Sequence, residues 1–316
     1  MRVAILSFLA AGAILLSVAS TASAGTVGYW RYEDGPVGTS AGTLVATAGP
    51  NAIEVPGAPD QVFDADVPGA FIFDPVANTT VANTLSLNSP GTNLNARATA
   101  PGATLEPASF SFETFVKDDA EIDGFDVIAG KRRANAPGNA VNDPGGVRWS
   151  WMITEDSQGR VFFRMDTDVY NPDGSLASGA FNQSLQYFPT PGGGGPSVRD
   201  QEWHHVAITY DAATNEASLY IDYIQNNAKM TPSNGGTLQY DGGELTLGGR
   251  GDGGSWAGLI DESRLSDVVL SGSTDIDGFD TTNQFLLATN TNIPEPSAVV
   301  IALLGSVYGM GFVRRR

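Results

Sequence analysis

The most constraining feature of this chain is its punctuation: short runs of alternating apolar residues, broken again and again by Gly, Pro, Asn and Asp. In the run over residues 109–116, Phe110, Phe112, Thr114 and Val116 fall on one face at a period of two, the spacing of a strand. Similar runs occupy residues 27–32, 70–73, 244–247 and 257–265. Residues 147–154 and 160–166 flank Asp156-Ser157-Gln158-Gly159, and residues 203–210 and 216–223 flank the 211–215 turn, so two hairpins are expected. No helical period longer than about two turns occurs between residues 25 and 293. With 38 Gly and 18 Pro, the pattern predicts an all-β fold, an antiparallel two-sheet sandwich or jelly roll. Residues 35–60, 75–107 and 189–196 are too rich in turn formers to read as regular strands and are expected to be long loops or irregular edges. One domain spanning 25–293 is expected, because neither side of the 189–196 segment looks able to bury a core alone.

Charge and cysteine content exclude several functions. The chain carries 35 Asp+Glu against 17 Lys+Arg, a net charge of −18. Such a surface repels nucleic acid, which requires clustered cations. No cysteine is present, so disulfides, thiolate metal sites and thiol nucleophiles are excluded.

Both ends carry processing signals. Met1-Arg2, the apolar run 3–18 and Ala22-Ser23-Ala24 form a secretory signal peptide over residues 1–24, with cleavage after Ala24 leaving Gly25 first. The apolar run is short for a membrane anchor. At the other end, Pro294-Glu295-Pro296 precedes an uncharged 17-residue run, 297–313, and the closing Arg314-Arg315-Arg316. Physically this is a short apolar helix near the lower limit for a span, with a cytoplasmic stop. The 294–316 segment resembles the PEP-CTERM sorting signal. That resemblance implies a Gram-negative bacterium that makes exopolysaccharide. It also implies transient anchoring in the inner membrane, then cleavage near Pro294-Glu295-Pro296 by an exosortase-type enzyme and release to the cell surface or matrix. Removing both ends leaves 13 Lys+Arg and 34 Asp+Glu, a more acidic body of −21. Such a body stays soluble and can collect calcium, a hard cation that prefers oxygen.

Three segments carry a further resemblance. They are Gly28-Tyr29-Trp30-Arg31-Tyr32-Glu33-Asp34-Gly35; Trp203-His204-His205-Val206-Ala207-Ile208-Thr209-Tyr210-Asp211 with Leu219-Tyr220-Ile221-Asp222; and Leu247-Gly248-Gly249 with Gly258-Leu259-Ile260-Asp261-Glu262-Ser263-Arg264-Leu265. Together with residues 110–117 they resemble the laminin-G-like, concanavalin A-like jelly roll over about residues 27–271. Tyr223 departs from the pattern, standing where the family usually has Gly. The resemblance implies two curved antiparallel sheets, often with a bound calcium ion. Related glucanases point to Glu33 and Asp261 as its ligands, with Asp34 as the alternative to Glu33. Asp261 has another reading, as the ion-pair partner of Arg31 or Arg264 or as an acceptor of backbone hydrogen bonds.

The remaining chemistry-bearing residues are weighed singly. His204 and His205 are adjacent on an expected strand, so they point to opposite faces and cannot share a metal. Retaining glycosidases of this fold use Glu-x-Asp-x-x-Glu on a strand, and Glu121, Asp123 and Asp126 approximate it. Here the last acid is one methylene short, and a near copy recurs at 275–280, which favours an acidic turn over a unique active site. Trp149, Trp151, Trp203 and Trp256 offer rings for sugar stacking, but Trp149 and Trp151 share a face with Ile153 and are expected in the core. Lys131, Arg132 and Arg133 form the one basic cluster of the body, suited either to an anionic polysaccharide or to balancing the acidic surface. The expected function is that of an exported, non-catalytic surface or matrix protein that binds a polysaccharide, matrix glycan or protein. The alternative is a polysaccharide hydrolase using Glu121, Asp123 and Asp126.

Overall fold

The computed structural model describes residues 25–49, 52–54, 61–90, 98–100, 104–119, 126–133, 148–167, 169–170, 176–178, 183–186, 197–226, 228–232, 236–249, 256–273 and 283–290. The signal segment with Ala22 and Ala24, the sorting segment with Pro294, Glu295 and Pro296, the acids Glu121 and Asp123, and residues 189–196 and 275–280 lie outside them. Among the described residues no helix is long and apolar enough to cross a membrane.

In chain order the strands are β1 (Thr26–Trp30), β2 (Thr43–Leu44), β3 (Ile53–Glu54), β4 (Val62–Asp64), β5 (Phe71–Asp74), β6 (Thr79–Ala82) and β7 (Ser86–Pro90). Then follow β8 (Ala98–Ala100), β9 (Phe110–Asp118), β10 (Asp126–Arg133), β11 (Arg148–Glu155), β12 (Val161–Met165), β13 (Val169–Tyr170) and β14 (Leu176–Ser178). The last are β15 (Gln183–Gln186), β16 (His204–Asp211), β17 (Glu216–Ile221), β18 (Ile224–Gln225), β19 (Leu245–Leu247), β20 (Ala257–Ser266) and β21 (Leu287–Thr289).

These build two eight-stranded antiparallel sheets. One runs β18-β17-β16-β9-β20-β7-β4, with β1 also paired to β20; the other runs β15-β12-β11-β10-β19-β8-β3-β2. Both expected hairpins form, β11–β12 and β16–β17. The central strand β9 shows why the sheets stack. Phe110, Phe112 and Val116 join the main core, with Val206, Ile208 and Tyr210 of β16 beside them. From the opposite sheet Trp151 inserts against two of these rings, 5.2 Å from Phe110 and 5.4 Å from Phe112. Each such side chain removed from water contributes about 2–3 kcal/mol, so the alternation is what holds the two sheets together.

The sandwich has a further layer that the sequence did not announce. A three-stranded sheet, β21-β5-β6, covers the other face of β9 and β16. Phe73, Phe285 and Leu287 pack on Ala207, Tyr220 and Tyr223, while Ile72 and Leu286 pack on Phe115. The layer is also pinned by charge. Arg264 reaches Glu113 Oε1 through Nε at 2.7 Å, Asp74 Oδ2 through Nη1 at 2.8 Å and the Gln284 carbonyl at 3.1 Å. All of Arg264 but 2% is buried, so its charge must be matched in place.

One expectation is corrected here, and one open choice is narrowed. Trp149 does not share the core face of Trp151 and Ile153. The β10–β11 register shifts so that Lys131 opposes Trp151 while Arg132 opposes Trp149, and this bulge turns Trp149 to the outer face with Val127 and Met152. There it lies over Gly130, where a Cβ would come within 2.5 Å of its ring. Of the two readings of Lys131, Arg132 and Arg133, the ion pairs favour charge balance. They belong to β10, and each is held by an acid: Lys131 by Glu106 at 2.8 Å, Arg132 by Glu244 at 2.5 Å, Arg133 by Asp166 at 3.2 Å.

Candidate functional site

The expected calcium ligands come from two paired strands. β1 lies antiparallel to β20, with Trp30 opposite Ser263, and this carries Glu33 and Asp261 to the same region. The segment 83–85 lies between them. Asn83 Nδ2 donates to Asp261 Oδ2 at 2.7 Å, while the Thr84 and Leu85 amides donate to Glu33 Oε1 at 2.7 and 3.2 Å. Asp261 is fully buried; it pairs with neither Arg31 nor Arg264, but its Oδ1 accepts from the Glu262 amide at 2.8 Å, as the backbone-acceptor reading expected. Arg31 binds the next residue, Glu262, at 3.0 Å, and Tyr29 also donates to that carboxylate.

A bulge in β20 creates this crowding. The register against β9 shifts between Asp261 and Arg264, and Glu262 takes a left-handed φ of 50°. Two consecutive buried acids therefore face nearly the same surroundings. Burial first, then Glu262 and Glu33, pushes the Asp261 carboxyl well above the usual range. Burial also raises Glu262, with Arg31 and the Tyr29 hydroxyl holding it back.

Glu33, Asp261 and the Asn83 side-chain oxygen are hard oxygen donors, and the last is buried with no hydrogen-bond partner. That donor set suits calcium. Among the described residues, no three acidic or imidazole side chains already stand at metal-ligand spacing. Asp34, the alternative to Glu33, is instead exposed and caps the following loop by accepting from the Val45 amide at 2.7 Å. The sequence reading missed Asn83 and Glu262; the Asp-Glu doublet was visible, but not the bulge that buries both.

A second site lies where the outer layer ends. Pro68, Phe115, Trp203, His205, Tyr223 and Ala288 wall a groove of about 310 Å³, with Asp222 and Ile224 also lining it. The hairpin β17–β18 explains its shape. Ile221 pairs with Ile224, leaving Asp222 and Tyr223 as a two-residue turn with φ values of 49° and 69°. Both signs are those of a type I′ turn, which favours Gly at the second position. The tyrosine tolerates it because its ring is buried and its hydroxyl donates to the Leu286 carbonyl at 3.0 Å.

The two histidines point to opposite faces, as alternation requires. His205 Nε2 lies 2.9 Å from Glu113 Oε2, and its buried Nδ1 has no hydrogen-bond partner. Burial favours a raised Glu113 pKa, but Arg264 and then His205 outweigh it and hold it below the usual range. His204 lies between Asp222 and Asp200, 2.9 Å from each. Burial opposes its charge, yet the hydrogen bonds to Asp222 and Asp200 raise its pKa to about 9.

Of the tryptophans weighed for sugar stacking, Trp149, Trp151 and Trp256 are buried, whereas Trp203 is half-buried at the groove. Its indole nitrogen donates to Asp66 at 2.9 Å, fixing the ring. Asp126, the last acid of the glycosidase-like motif, opens β10 and is 5% exposed.

Two stacked antiparallel sheets define the protein as a β-sandwich of the jelly-roll class. The chain belongs to the concanavalin A-like lectin/glucanases superfamily, whose laminin-G-type family model matches residues 90–274. Among curated proteins, none matches the sequence. The solved structures are only distantly similar. The botulinum neurotoxin serotype D binding domain is 11% identical with a TM-score of 0.47, covering 79% of this chain and 50% of that one. A Trypanosoma rangeli sialidase is 15% identical with a TM-score of 0.47, covering 82% of this chain and 32% of that one. The chain thus spans half or less of the length of these structures.

Proposed function

We propose that this protein is an exported, non-catalytic surface or matrix component that binds a polysaccharide or matrix glycan in the Trp203–Tyr223 groove. The observation that carries this reading is the groove itself. A fixed, half-buried indole beside Tyr223 and Phe115 offers apolar area to a sugar face, and the rim carboxylate of Asp222 accepts hydroxyl hydrogen bonds. Membership of a lectin and glucanase superfamily supports carbohydrate as the ligand class. A calcium ion held by Glu33 and Asp261 would fasten β1 to β20 and stiffen the sandwich.

Export rests on the two terminal signals. A signal peptidase removes residues 1–24, and an exosortase-type enzyme cuts near Pro294-Glu295-Pro296, so the membrane is touched only before that cut. Protein shed from its native cells should have an intact mass that begins near Gly25 and lacks Arg314 to Arg316; a full-length C-terminus would overturn the sorting reading. A glycan array read together with a reducing-end assay tests the function. Binding without release of reducing ends supports it. Hydrolysis abolished by Glu121→Gln would replace it with the hydrolase that uses Glu121, Asp123 and Asp126.

A further inference from the structure

The face of β9 that carries the aromatic groove carries a second recess beside it. Phe115 and Lys117 lie two residues apart on this strand, so their side chains share one face, about 7 Å apart along the strand. Phe115 and its register partner His205 line the groove. Lys117 pairs with Leu259 of β20, and Leu259 pairs with Asn88 of β7. This row across three strands lines the second recess, of about 320 Å³, and Asp64, Asp66 and Gln201 stand around it.

One carboxylate joins the two recesses. Trp203 lines the first, and its Nε1 donates to Oδ1 of Asp66, which lines the second, at 2.9 Å. Lys117 holds the other oxygen of Asp66 at 2.6 Å. The chemistry changes across this bridge. The first recess offers aromatic rings, whereas the second offers hydrogen bonds. Asn88 Nδ2 gives one hydrogen to Asp64 at 3.2 Å, which leaves its second amide hydrogen and its carbonyl oxygen for a ligand. Neither recess has a cation to spare. No Lys or Arg lines the first, and Lys117, the one Lys or Arg lining the second, is engaged by Asp66. The charge of His204 is matched by Asp200 and Asp222. A carboxylated or sulfated sugar would therefore meet Asp222, Asp64 and Asp66 with no cation to receive it.

We infer that the two recesses are successive subsites for one uncharged oligosaccharide, with a sugar ring against Trp203 and a following unit hydrogen-bonded to Asn88 and Asp64. The inference rests on the groove binding carbohydrate, as proposed above, and adds the length and the charge of the ligand. At about 310 and 320 Å³, each recess alone is at the small end of ligand pockets, about 300–1,000 Å³, so a chain of sugars uses both.

Titration calorimetry with oligomers of glucose, xylose and mannose, one to six units long, and with oligomers of galacturonate and mannuronate tests it. Affinity for a neutral series should rise with length, and the uronate oligomers should bind about tenfold or more weakly. Trp203→Ala should weaken every length that binds. Asn88→Ala should weaken only the oligomers long enough to reach the second recess, by about 2- to 10-fold, and so flatten the gain with length. Gln201→Ala, at an exposed position, should act in the same direction and serves if Asn88→Ala does not fold by circular dichroism. If the folded variants bind the long oligomers as tightly as the wild type, there is no second subsite. If a uronate oligomer binds as tightly as its neutral counterpart and Trp203→Ala weakens it, the charge selection is wrong. If Trp203→Ala weakens binding of no probe, the groove reading itself fails and takes this inference with it.

Discussion

The phenol ring of Tyr223 lies face to face with the imidazole of His205, their centroids 4.5 Å apart and their planes inclined by 16°. Phe115 meets the same imidazole edge-on at 5.2 Å. One contact therefore joins a strained turn, a buried Glu113–His205 pair and the wall of the candidate groove. It also explains why a tyrosine occupies a turn position that usually belongs to glycine: packing outweighs the backbone penalty.

That balance makes a testable ordering. A left-handed conformation costs a non-glycine residue about 1–2 kcal/mol. Tyr223→Ala keeps that cost and loses the ring, whereas Tyr223→Gly loses the ring and escapes the cost. Both variants should be destabilised by about 2–4 kcal/mol, with Gly the more stable of the two by about 1 kcal/mol. Urea denaturation at equilibrium measures this, and Ala equal to or more stable than Gly would deny the strain.

His204 predicts a pH dependence. Its folded pKa of about 9 lies above the ordinary 6.5, so its stabilising charge is fully present below about pH 6.5 and is lost as pH rises through about 9. Asp200 and Asp222 are half-exposed, which screens the pair, so the loss should be about 1–2 kcal/mol. The stability difference between wild type and His204→Gln, followed from pH 6 to 10, should shrink by that amount. Buried acids also titrate in this range, which is why the difference is the quantity to follow.

Arg264 predicts how the outer layer is fastened. Arg264→Met leaves Glu113 buried without its guanidinium and should cost about 3–5 kcal/mol. Adding Glu113→Gln should recover part of this loss, because the uncompensated charge is removed. If the single variant melts within a degree of the wild type, the network does not hold β5 and β21 in place.

Much of this arrangement was legible from residue order, and the failures have physical causes. Alternation in 109–116 and the Trp-His-His-Val run gave β9 and β16 within a residue or two, because one face of each carries the regular apolar row of the main core. Strand β10 was missed since Lys131-Arg132-Arg133 looks like a solvated surface until its partners are known, the Gly243 carbonyl and the Glu244 carboxylate over 100 residues away among them. Trp149 was placed on the wrong face because a period-two reading cannot see a bulge. The β5–β21 pairing joins residues more than 200 positions apart, and local pattern carries no trace of it. At the candidate sites, Trp203, His205, Glu33 and Asp261 were recognisable by type, whereas Asn83 matters only through what surrounds it.

Calcium at Glu33 and Asp261 is tested by thermal melts with excess calcium and with chelator. Binding to the folded state alone raises the midpoint as calcium rises, by mass action. Asp261→Asn should lose that shift. An equal shift in wild type and Asp261→Asn would place the ion elsewhere.

The central claim is that the groove beside Tyr223 binds carbohydrate without cleaving it. Trp203→Ala removes one half-buried ring at its wall, and loss of a stacked aromatic contact of about 1–2 kcal/mol weakens affinity roughly 5- to 30-fold. Titration calorimetry with an oligosaccharide that the wild type binds on an array measures it most directly. The account predicts that weakening for Trp203→Ala, with folding intact and no reducing ends released by either protein; unchanged affinity in Trp203→Ala would contradict it.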